Sequence, residues 1–392
     1  MNGGPLAPAR LPATPEGREP YAQVNAGPTR VSLLKDGLQA FPAMLAAIAH
    51  AERTICLETY ILRDDVSGTR FINALIERAQ AGVEVLLMYD DWGSDVQDAT
   101  VARLKEAGVK VLVFRPVRFT ASLARLVNVF RRRDHRKALV VDGRLGFTGG
   151  LNLSDDYAAV QDGGQGWRDT HLGLAGPAAQ ELERLFLQTW RSQKGPAFDE
   201  ARFVRARAAG SPRLKIIGND FAVDRKGVRR AYLQAFHKAK ARIYLTHAYF
   251  MPPRKVLKAL LHAAGRGVRV ALVLAASTDV KLVLYAARGL YPKLLKHGVE
   301  VFEWEGKVLH AKTAVVDGTW STVGSANLDA LSLRHTLEVN AVVTEPAFCQ
   351  AVERLFLEDL THCRRVTRDT VKGYGLLARA LSWLAYRLRH WL

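Results

Sequence analysis

Short apolar runs alternate with segments of helical periodicity between residues 31 and 114. The runs are compact and rich in β-branched residues, which predicts buried strands; the intervening segments space their apolar residues three or four apart, which predicts amphipathic helices. In order, the pattern predicts strand Val31–Lys35, helix Phe41–Ala51, strand Ile55–Ile61, helix Gly68–Ala81, strand Val83–Tyr89, helix Val101–Ala107 and strand Val109–Phe114. Such alternation is typical of an α/β fold with a mainly parallel sheet covered by helices on both faces.

The same order of elements returns in the second half of the chain. The segment Ile243–Phe250 corresponds to Ile55–Leu62, Gly267–Leu274 to Gly82–Tyr89, and His297–Val301 to Ala107–Val111. A duplicated unit of about 170 residues is large enough for its own hydrophobic core. The 392 residues therefore predict two α/β domains, each with a mixed, largely parallel sheet flanked by helices.

The clearest sign of duplication is a motif that occupies residues 135–152 and returns at residues 310–327. The offset is 175 residues without a gap, and 8 of the 18 positions are identical, whereas unrelated segments would share about one. The identical positions that carry functional groups are His135, Lys137, Asp142, Gly149 and Asn152 in the first copy, and His310, Lys312, Asp317, Gly324 and Asn327 in the second.

Each copy of the motif predicts a β-hairpin with a cluster of polar groups at its open end. An apolar run that ends in Asp-Gly is a strong hairpin signal. Residues two apart on a strand face the same side, so His135 and Lys137 project together, as do His310 and Lys312. An imidazole and an ammonium group held side by side favour a site that binds and attacks a phosphate group.

Small residues are predicted beside each His. A two-residue turn would place Gly149 and Gly150 beside Arg136 and His135, and Gly324 and Ser325 beside Ala311 and His310. Small side chains there would let a bulky anion approach the backbone. The motif aspartates have a structural explanation, because Asp-Gly is what a hairpin turn favours; from position alone, Asp142 and Asp317 are predicted to be turn formers.

Composition adds a strong positive charge to this picture. Lys and Arg number 56 against 38 Asp and Glu, a net charge of +18, so the surface is expected to attract an anionic bilayer or a polyanion. Cys56, Cys349 and Cys363 are odd in number and far apart, which argues against a disulfide framework and favours the reducing cytosol. No cluster of residues has the spacing of metal ligands, and neither a metal nor another cofactor is expected.

The segments outside the repeats complete the predicted domain organisation. Residues 1–29 are rich in Pro, Gly and Ala and are predicted to be a flexible leader, without an apolar run long enough for a signal peptide or a spanning helix. The predicted order continues with a first domain at 30–194, a linker at 195–212, a second domain at 213–365 and an amphipathic tail at 366–392.

Two segments depart from the repeat and carry both apolar and cationic residues. The distance from Gly108 to His135 is 27 residues, against 12 from Gly298 to His310, so the first half holds an insertion around residues 115–133. Its phenylalanines, leucines and arginines fit either a lipid-facing flap or an ordinary surface helix. The Leu, Trp and Arg residues of the tail fit either a helix lying in the membrane interface or one packed on the protein.

The paired motifs resemble the phospholipase D superfamily. The resemblance rests on His-x-Lys-x4-Asp followed by Gly-Gly/Ser-x-Asn, present twice and intact, and it covers residues 30–365. It implies two repeats related by a pseudo-twofold axis and a reaction through a phosphohistidine. His135 would be the nucleophile and His310 the general acid and base.

The resemblance also implies roles for the other motif residues. Lys137, Lys312, Asn152 and Asn327 would surround the non-bridging phosphate oxygens, Gly149, Gly150, Gly324 and Ser325 would line the substrate site, and Asp142 and Asp317 belong to the family's catalytic motif. Two carboxylates downstream of the motifs would each orient the imidazole of the opposite half. This crossed arrangement would pair Glu338 with His135 and Asp169 with His310.

Within the superfamily, three stretches resemble bacterial cardiolipin synthases of the shorter, peripheral type. They are Gly-Gly-x-Asn-Leu-Ser-Asp-Asp-Tyr at 149–157, Gly-Trp-Arg-Asp-Thr-His at 166–171 and Glu-Thr-Tyr-Ile at 58–61. The resemblance implies transfer of a phosphatidyl group between two phosphatidylglycerol molecules, giving cardiolipin and glycerol. The implied partners are anionic phospholipids and the membrane surface, with no nucleic acid, and the implied location is the cytoplasmic face of a bacterial membrane.

Two other activities fit the same motifs. A phospholipase D-type hydrolase would use the same residues with water as acceptor, and a superfamily nuclease would use the positive charge to bind a nucleic-acid backbone. The sequence leaves the oligomeric state open.

Overall fold

The computed structural model describes residues 10–116, 132–203, 211–219, 226–278, 280–375 and 381–382. Within these residues the first half forms one sheet of eight strands in the order β1-β2-β8-β7-β6-β3-β4-β5. The strands are β1 Ala22–Ala26, β2 Thr29–Lys35, β3 Thr54–Thr59, β4 Glu84–Asp90, β5 Lys110–Phe114, β6 Ala138–Val141, β7 Leu145–Gly149 and β8 Thr170–Ala175. The helices are α1 Asp36–Ala49, α2 Val66–Gln80, α3 Asp98–Glu106 and α4 Ala178–Ser192.

The described residues of the second half repeat this plan, with a second sheet in the order β16-β12-β11-β10-β13-β14-β15-β9. Its strands are β9 Leu214–Asn219, β10 Arg242–His247, β11 Arg269–Ala275, β12 Glu300–Trp304, β13 Lys312–Val316, β14 Trp320–Gly324, β15 Glu338–Val343 and β16 Cys363–Val366. Its helices are α5 Gly227–Lys238, α6 Arg254–Gly265, α7 Lys281–Arg288, α8 Tyr291–Lys296, α9 Pro346–Leu360 and α10 Arg368–Gly373. Two α/β repeats are therefore confirmed.

The sheets contain less parallel pairing than the sequence pattern predicted. Each sheet is mixed: among the described strands, only β3-β4-β5 and β10-β11-β12 pair in parallel. The remaining pairings are antiparallel. The reason is connectivity, because only the strands joined through crossover helices can run parallel, whereas the motif strands are joined by tight turns.

Central strands are buried on both faces, which explains their continuous apolar runs. On β3, Ile55 and Leu57 pack into the core under helices α1 and α2, whereas Cys56 between them faces a different cluster. On β11, Leu272 belongs to the core of the second half, whereas Val273 belongs to the same cluster as Cys56. A run without alternation is the expected signature of a strand covered on both sides.

In addition to the core of each half, the two halves share a third hydrophobic cluster. It lies between the two sheets and combines residues of α4, such as Phe186 and Trp190, with residues of α9, such as Phe348 and Phe356. Arg168 adds a buried ion pair across the halves, with its Nε and Nη2 donating to Asp359 at 2.8 Å each. The two halves therefore share one core, which holds them in a fixed relation.

The predicted flexible leader is also partly wrong. Ala22–Ala26 form strand β1 at the edge of the first sheet, and Arg18 makes a 2.7 Å ion pair with Asp162. Val24 packs against the shared core. A short strand was hidden in this stretch because its apolar residues are small and few, while edge pairing with β2 supplies its backbone hydrogen bonds.

Parts of four predicted segments lie outside the described residues: 1–9 of the leader, 117–131 of the insertion, 204–210 of the linker, and 376–380 and 383–392 of the tail. The base of the insertion is described. Arg133 is buried, pairs with Asp90 and donates to the carbonyl of Arg115 at 3.0 Å, so the two ends of the insertion are held together. In the described part of the chain, no helix is both long enough and apolar enough to cross a bilayer.

Candidate active site

The motif hairpins have three-residue loops, not the predicted two-residue turns. Val141 pairs with Leu145, and Val316 pairs with Trp320. In each loop the Asp and the Gly both have positive φ, near 54° and 61° in the first copy, which Asp tolerates better than most residues and Gly tolerates freely. Continuing this register places Gly149 opposite Lys137, one position away from the predicted alignment.

Asp142 and Asp317 lie at the turn, away from the histidines. Asp142 accepts hydrogen bonds from the backbone N–H groups of residues 52, 53 and 54 at 2.8–3.0 Å. Asp317 does the same for residues 240, 241 and 242, each at 2.8 Å. Seven residues of extended chain separate His135 from Asp142, roughly 20 Å. The placement of these aspartates in the catalytic set is therefore wrong, since they tie the turn to the start of β3 and β10.

Replacing Asp142 by Asn is expected to lower the free energy of unfolding by about 1–3 kcal/mol, because an amide keeps only one of the two acceptor oxygens that hold the turn. Asn tolerates positive φ, so backbone strain does not confuse the result. Urea unfolding measures the effect, with Asp199→Asn on the surface as a control. Lost turnover with unchanged unfolding would contradict this structural role.

The crossed pairing of acids and histidines is present in the geometry. Nδ1 of His310 lies 2.7 Å from Oδ2 of Asp169, and Nδ1 of His135 lies 3.2 Å from Oε1 of Glu338. Backbone contacts fix both pairs, because the N–H of His135 donates to Leu337 at 2.9 Å and the N–H of His310 donates to Arg168 at 2.8 Å. Each imidazole therefore presents Nε2, the nitrogen that its acid does not use.

The small residues after the motif strands support the acids. A Cβ on Gly150 would lie 2.0 Å from Asp169, so glycine leaves room for that carboxylate. At the corresponding position, the Ser325 hydroxyl donates to Glu338, which also accepts from Thr336 at 2.9 Å. Gly150 and Ser325 were predicted to line the substrate site, but in the structure they support the two acids.

Gly149 and Gly324 make room for the neighbouring strand. A Cβ on Gly149 would lie 2.6 Å from Nδ1 of His171, and one on Gly324 would lie 2.4 Å from Cγ of Asn340. Both glycines are buried, so the predicted open backbone edge is filled by these side chains.

Both motif lysines are buried and turn back onto their own histidine. Nζ of Lys137 donates to the carbonyl of His135 at 2.7 Å and lies 5.1 Å from the centre of the Tyr60 ring. Nζ of Lys312 donates to the carbonyl of His310 and lies 2.9 Å from Nδ1 of the same residue. That nitrogen cannot both accept from Lys312 and donate to Asp169; an ionised Asp169 requires the proton on Nδ1, so Lys312 makes a close contact there without a hydrogen bond.

Burial and mutual charge shape the ionisation of this cluster. Burial, followed by the charge of Lys312, lowers the pKa of His310 to about 4. Burial and the charge of Lys137 lower the pKa of His135, although Glu338 opposes the shift. Burial opposes ionisation of Asp169, but His310 and Lys312 outweigh it and hold the pKa of Asp169 below its usual value. Both imidazoles are therefore neutral at pH 7 without a ligand.

Each motif lysine affects the pKa of groups in the other half, so both motifs lie in one site. Burial lowers the pKa of Lys137 to about 7, and the charge of Lys312 contributes to that shift. Lys312 also acts on His135, and Lys137 acts on His310. Two buried ammonium groups so close together favour an anion between them.

The motif asparagines differ in how their amides are used. Oδ1 of Asn152 accepts from the N–H of Ile61 at 3.1 Å, and its Nδ2 donates to the Tyr157 hydroxyl at 2.7 Å. Oδ1 of Asn327 is buried and has no hydrogen-bond partner among the described residues. Asn152 is thus fixed by the protein, and Asn327 retains an unused acceptor at the site.

Sequence reasoning missed the aromatic surroundings of the two imidazoles. The Tyr60 ring lies 4.6 Å from the His135 ring, and the rings of Tyr157 and Trp167 lie 5.2 and 6.1 Å from that of His310. These three residues belong to the stretches that carry the family resemblance. Their presence in those stretches could have predicted that they lie near the histidines.

Two buried histidines near the lysines were also missed. Burial lowers the pKa of His171 to about 4, and neither of its ring nitrogens has a partner among the described residues. On the strand next to Lys312, burial lowers the pKa of His247 to about 3, and its Nε2 lies 3.3 Å from the Tyr232 hydroxyl. Both are neutral and add no charge to the site.

A buried acid lies directly before His135. Burial, followed by the neighbouring Glu58 carboxylate, raises the pKa of Asp134 well above its usual value. Its Oδ1 accepts from the N–H of Arg136 at 3.1 Å. In the described part of the chain, no group of three or more His, Cys, Asp or Glu residues is arranged to hold a metal ion.

Comparison with family models matches residues 44–190 and 232–360 to the family described as cardiolipin synthase, PLD-like domain. A cardiolipin synthase of Geobacillus kaustophilus (strain HTA426) is 35% identical over 379 residues, which cover 92% of this chain and 74% of that protein. Cardiolipin synthase B of Salmonella typhimurium is 35% identical over 327 residues, covering 82% of this chain and 78% of that protein.

Solved structures share the fold at low sequence identity. Phosphatidylserine synthase from Haemophilus influenzae Rd KW20 aligns with a TM-score of 0.68 and 11% identity, covering 92% of this chain and 94% of that one. Polyphosphate kinase from Porphyromonas gingivalis aligns with a TM-score of 0.59 and 13% identity, covering 91% of this chain and 52% of that one. At such identities the likeness concerns the arrangement of strands and helices alone.

Proposed function

The chain belongs to the family of the cardiolipin synthase, PLD-like domain, an enzyme family of the phospholipase D superfamily, and we propose that it joins two phosphatidylglycerol molecules into cardiolipin and releases glycerol. The observation that carries the proposal is the crossed pair of His–acid contacts between the halves, with both motif lysines in the same buried site. A phosphodiester anion would bring negative charge next to these two buried ammonium groups, which favours its binding there.

In the first step, Nε2 of His135 attacks phosphorus and the bond from phosphorus to the glycerol oxygen breaks. His310 donates a proton to that oxygen, so glycerol leaves neutral and a phosphohistidine remains. The lowered pKa of His135, caused by burial and Lys137, keeps this imidazole unprotonated and nucleophilic. The side chain of His135 is 16% exposed, whereas that of His310 is 7% exposed. The more exposed imidazole is better placed to attack phosphorus.

In the second step, His310 takes the proton from a hydroxyl of the second phosphatidylglycerol. The resulting oxygen attacks phosphorus, the bond to His135 breaks, and cardiolipin leaves. His310 needs a proton at the start of the cycle although its pKa is about 4 without a ligand. The negative charge of the bound phosphodiester raises that pKa, because it stabilises the imidazolium.

The remaining residues bind the phosphate oxygens and orient the two imidazoles. Lys137 and Lys312 face the non-bridging oxygens, whose charge grows in the transition state. Glu338 and Asp169 keep the proton on Nδ1 of their imidazoles and leave Nε2 for chemistry. Asn152 keeps one amide hydrogen for a phosphate oxygen after its bond to Tyr157.

We place the enzyme at the cytoplasmic face of the bacterial membrane as a peripheral protein, with anionic phospholipids and the membrane surface as partners and no nucleic acid. The net charge of +18 and the bacterial relatives named cardiolipin synthase support this location.

The test is incubation of the purified protein with phosphatidylglycerol labelled in its phosphate, followed by separation of the lipids. Cardiolipin with equimolar glycerol supports the proposal. Phosphatidic acid as the sole product would replace it with a hydrolase, and cleavage of DNA without lipid turnover would replace it with a nuclease.

The pH dependence should reveal the ammonium group of Lys137. Its pKa of about 7 follows from burial and the nearby Lys312, and the charged form lies below that pKa. We expect kcat/KM to fall as pH rises through about 7, since the free enzyme then loses a phosphate-binding charge. Lys137→Arg keeps the charge and should remove this fall, at the cost of a lower maximum; the same fall in that variant would exclude Lys137 as its source.

A further inference from the structure

The positive charge of the chain is concentrated in one set of helices. Residues 226–299 contain 15 Lys or Arg and a single acid, Asp279, and so account for +14 of the net charge of +18. The corresponding elements of the first half, residues 36–109, contain 6 Lys or Arg and 12 Asp or Glu. Two repeats of one fold therefore carry opposite charge, which the fold itself does not require.

Within this region, helices α6 and α8 form an open groove on the outer side of the second half. The groove has a volume of about 610 Å³, and the Leu257 and Leu261 side chains beneath it are buried, with 5% and 8% of their surface exposed. Arg254, Lys258 and Lys293 line it and are exposed to solvent. These three exposed cations make the depression a cationic groove.

The cations of the cationic groove lack counter-charges. Neither Arg254, Lys258 nor Lys293 has an ion-pair partner among the residues that the structure describes, whereas Arg242 and Arg269 elsewhere in the region pair with Glu353 and Glu300. Unpaired cations crowded on one surface repel each other, and an external anion would relieve that repulsion. The groove is thus suited to a negatively charged partner.

We propose that the cationic groove docks the protein on an anionic phospholipid bilayer, with Arg254, Lys258 and Lys293 at the headgroup phosphates. The proposal rests on the proposed function for its lipid partner. A lipid is chosen over a nucleic acid because the groove begins beside the site to which the proposed function assigns a lipid substrate, and anionic headgroups match its exposed cations.

The position of the groove connects it to the active site. Arg254 begins α6, which follows the carboxyl end of β10, and His310 lies just before β13, which pairs antiparallel with β10. The Arg254 end of the groove therefore lies at the sheet edge where the catalytic groups lie. A bilayer bound there would bring lipid to the entrance of the site.

The test uses the full chain with vesicles of phosphatidylcholine containing phosphatidylserine, an anionic lipid that is not the proposed substrate. Replacing Arg254, Lys258 and Lys293 by Gln should reduce vesicle binding at least tenfold, since each cation near an anionic surface contributes about fivefold. The control variant replaces the exposed Lys105, Arg144 and Arg184 by Gln; it has the same net charge and should bind within about twofold of the parent.

The outcomes separate this inference from the proposed function. Binding is measured by sedimentation without turnover, so a protein that makes no cardiolipin can still support docking. An unchanged thermal unfolding curve shows that both variants fold. Equal losses in the two variants, or none in the groove variant, would overturn the proposal, as would a groove variant that loses affinity for DNA but still binds vesicles.

Discussion

Replacing His135 by Asn is expected to reduce turnover by at least about 10⁴-fold, since a carboxamide cannot form the covalent bond to phosphorus through which both displacements pass. The fold should survive, because the ring is partly exposed and its contacts are with Tyr60 and Glu338. An unchanged thermal unfolding curve separates lost chemistry from lost structure. His50→Asn, at an exposed histidine directly after the end of helix α1, is the matched control and should retain full activity.

Trapping the intermediate identifies the nucleophile. Phosphatidylglycerol labelled in its phosphate should leave label on the parent protein after a rapid alkaline quench, in which phosphohistidine survives, and none on the His135→Asn variant. Label that remains on this variant and disappears in His310→Asn would reverse the two roles. Absence of label on the parent at all quench times would remove the covalent route itself.

The repeated motif made the centre of the site predictable from the sequence. His and Lys two residues apart on a strand face the same side by geometry alone, and the duplication placed a second pair in the other half. The structure brings both pairs together, with the lysine of each half acting on the histidine of the other. The crossed acids came from the family resemblance, since Asp169 and Glu338 have no distinctive local pattern.

What the sequence could not provide was decided by contacts between distant segments. One extra loop residue shifted the hairpin register, so Gly149 and Gly150 make room for His171 and Asp169 and do not open to a ligand. The shared core was hidden because a strand buried by a helix and a strand buried by a second sheet have the same apolar pattern. The aspartates of the motif were misassigned by family likeness, although their Asp-Gly turns had already indicated a structural role.

Replacing Asp169 by Asn is expected to reduce turnover of phosphatidylglycerol about 10³–10⁴-fold, because an amide can hold the His310 ring in the wrong tautomer. Asp169 is buried, and its Oδ2 lies 2.7 Å from Nδ1 of His310. In the wrong tautomer, Nε2 carries the proton when the second step needs a base. Asp98→Asn is a control that changes an exposed carboxylate without touching the site.

A change of leaving group tests whether Asp169 acts through His310. A phosphatidyl ester of p-nitrophenol releases an anion that needs no proton, so the first step no longer depends on the general acid. Asp169→Asn should therefore still release one equivalent of p-nitrophenolate per site in a rapid burst, whereas Glu338→Gln, which disturbs the nucleophile, should slow that burst. A burst lost in Asp169→Asn and kept in Glu338→Gln would mean that the halves exchange roles, with His310 attacking phosphorus and His135 handling the proton.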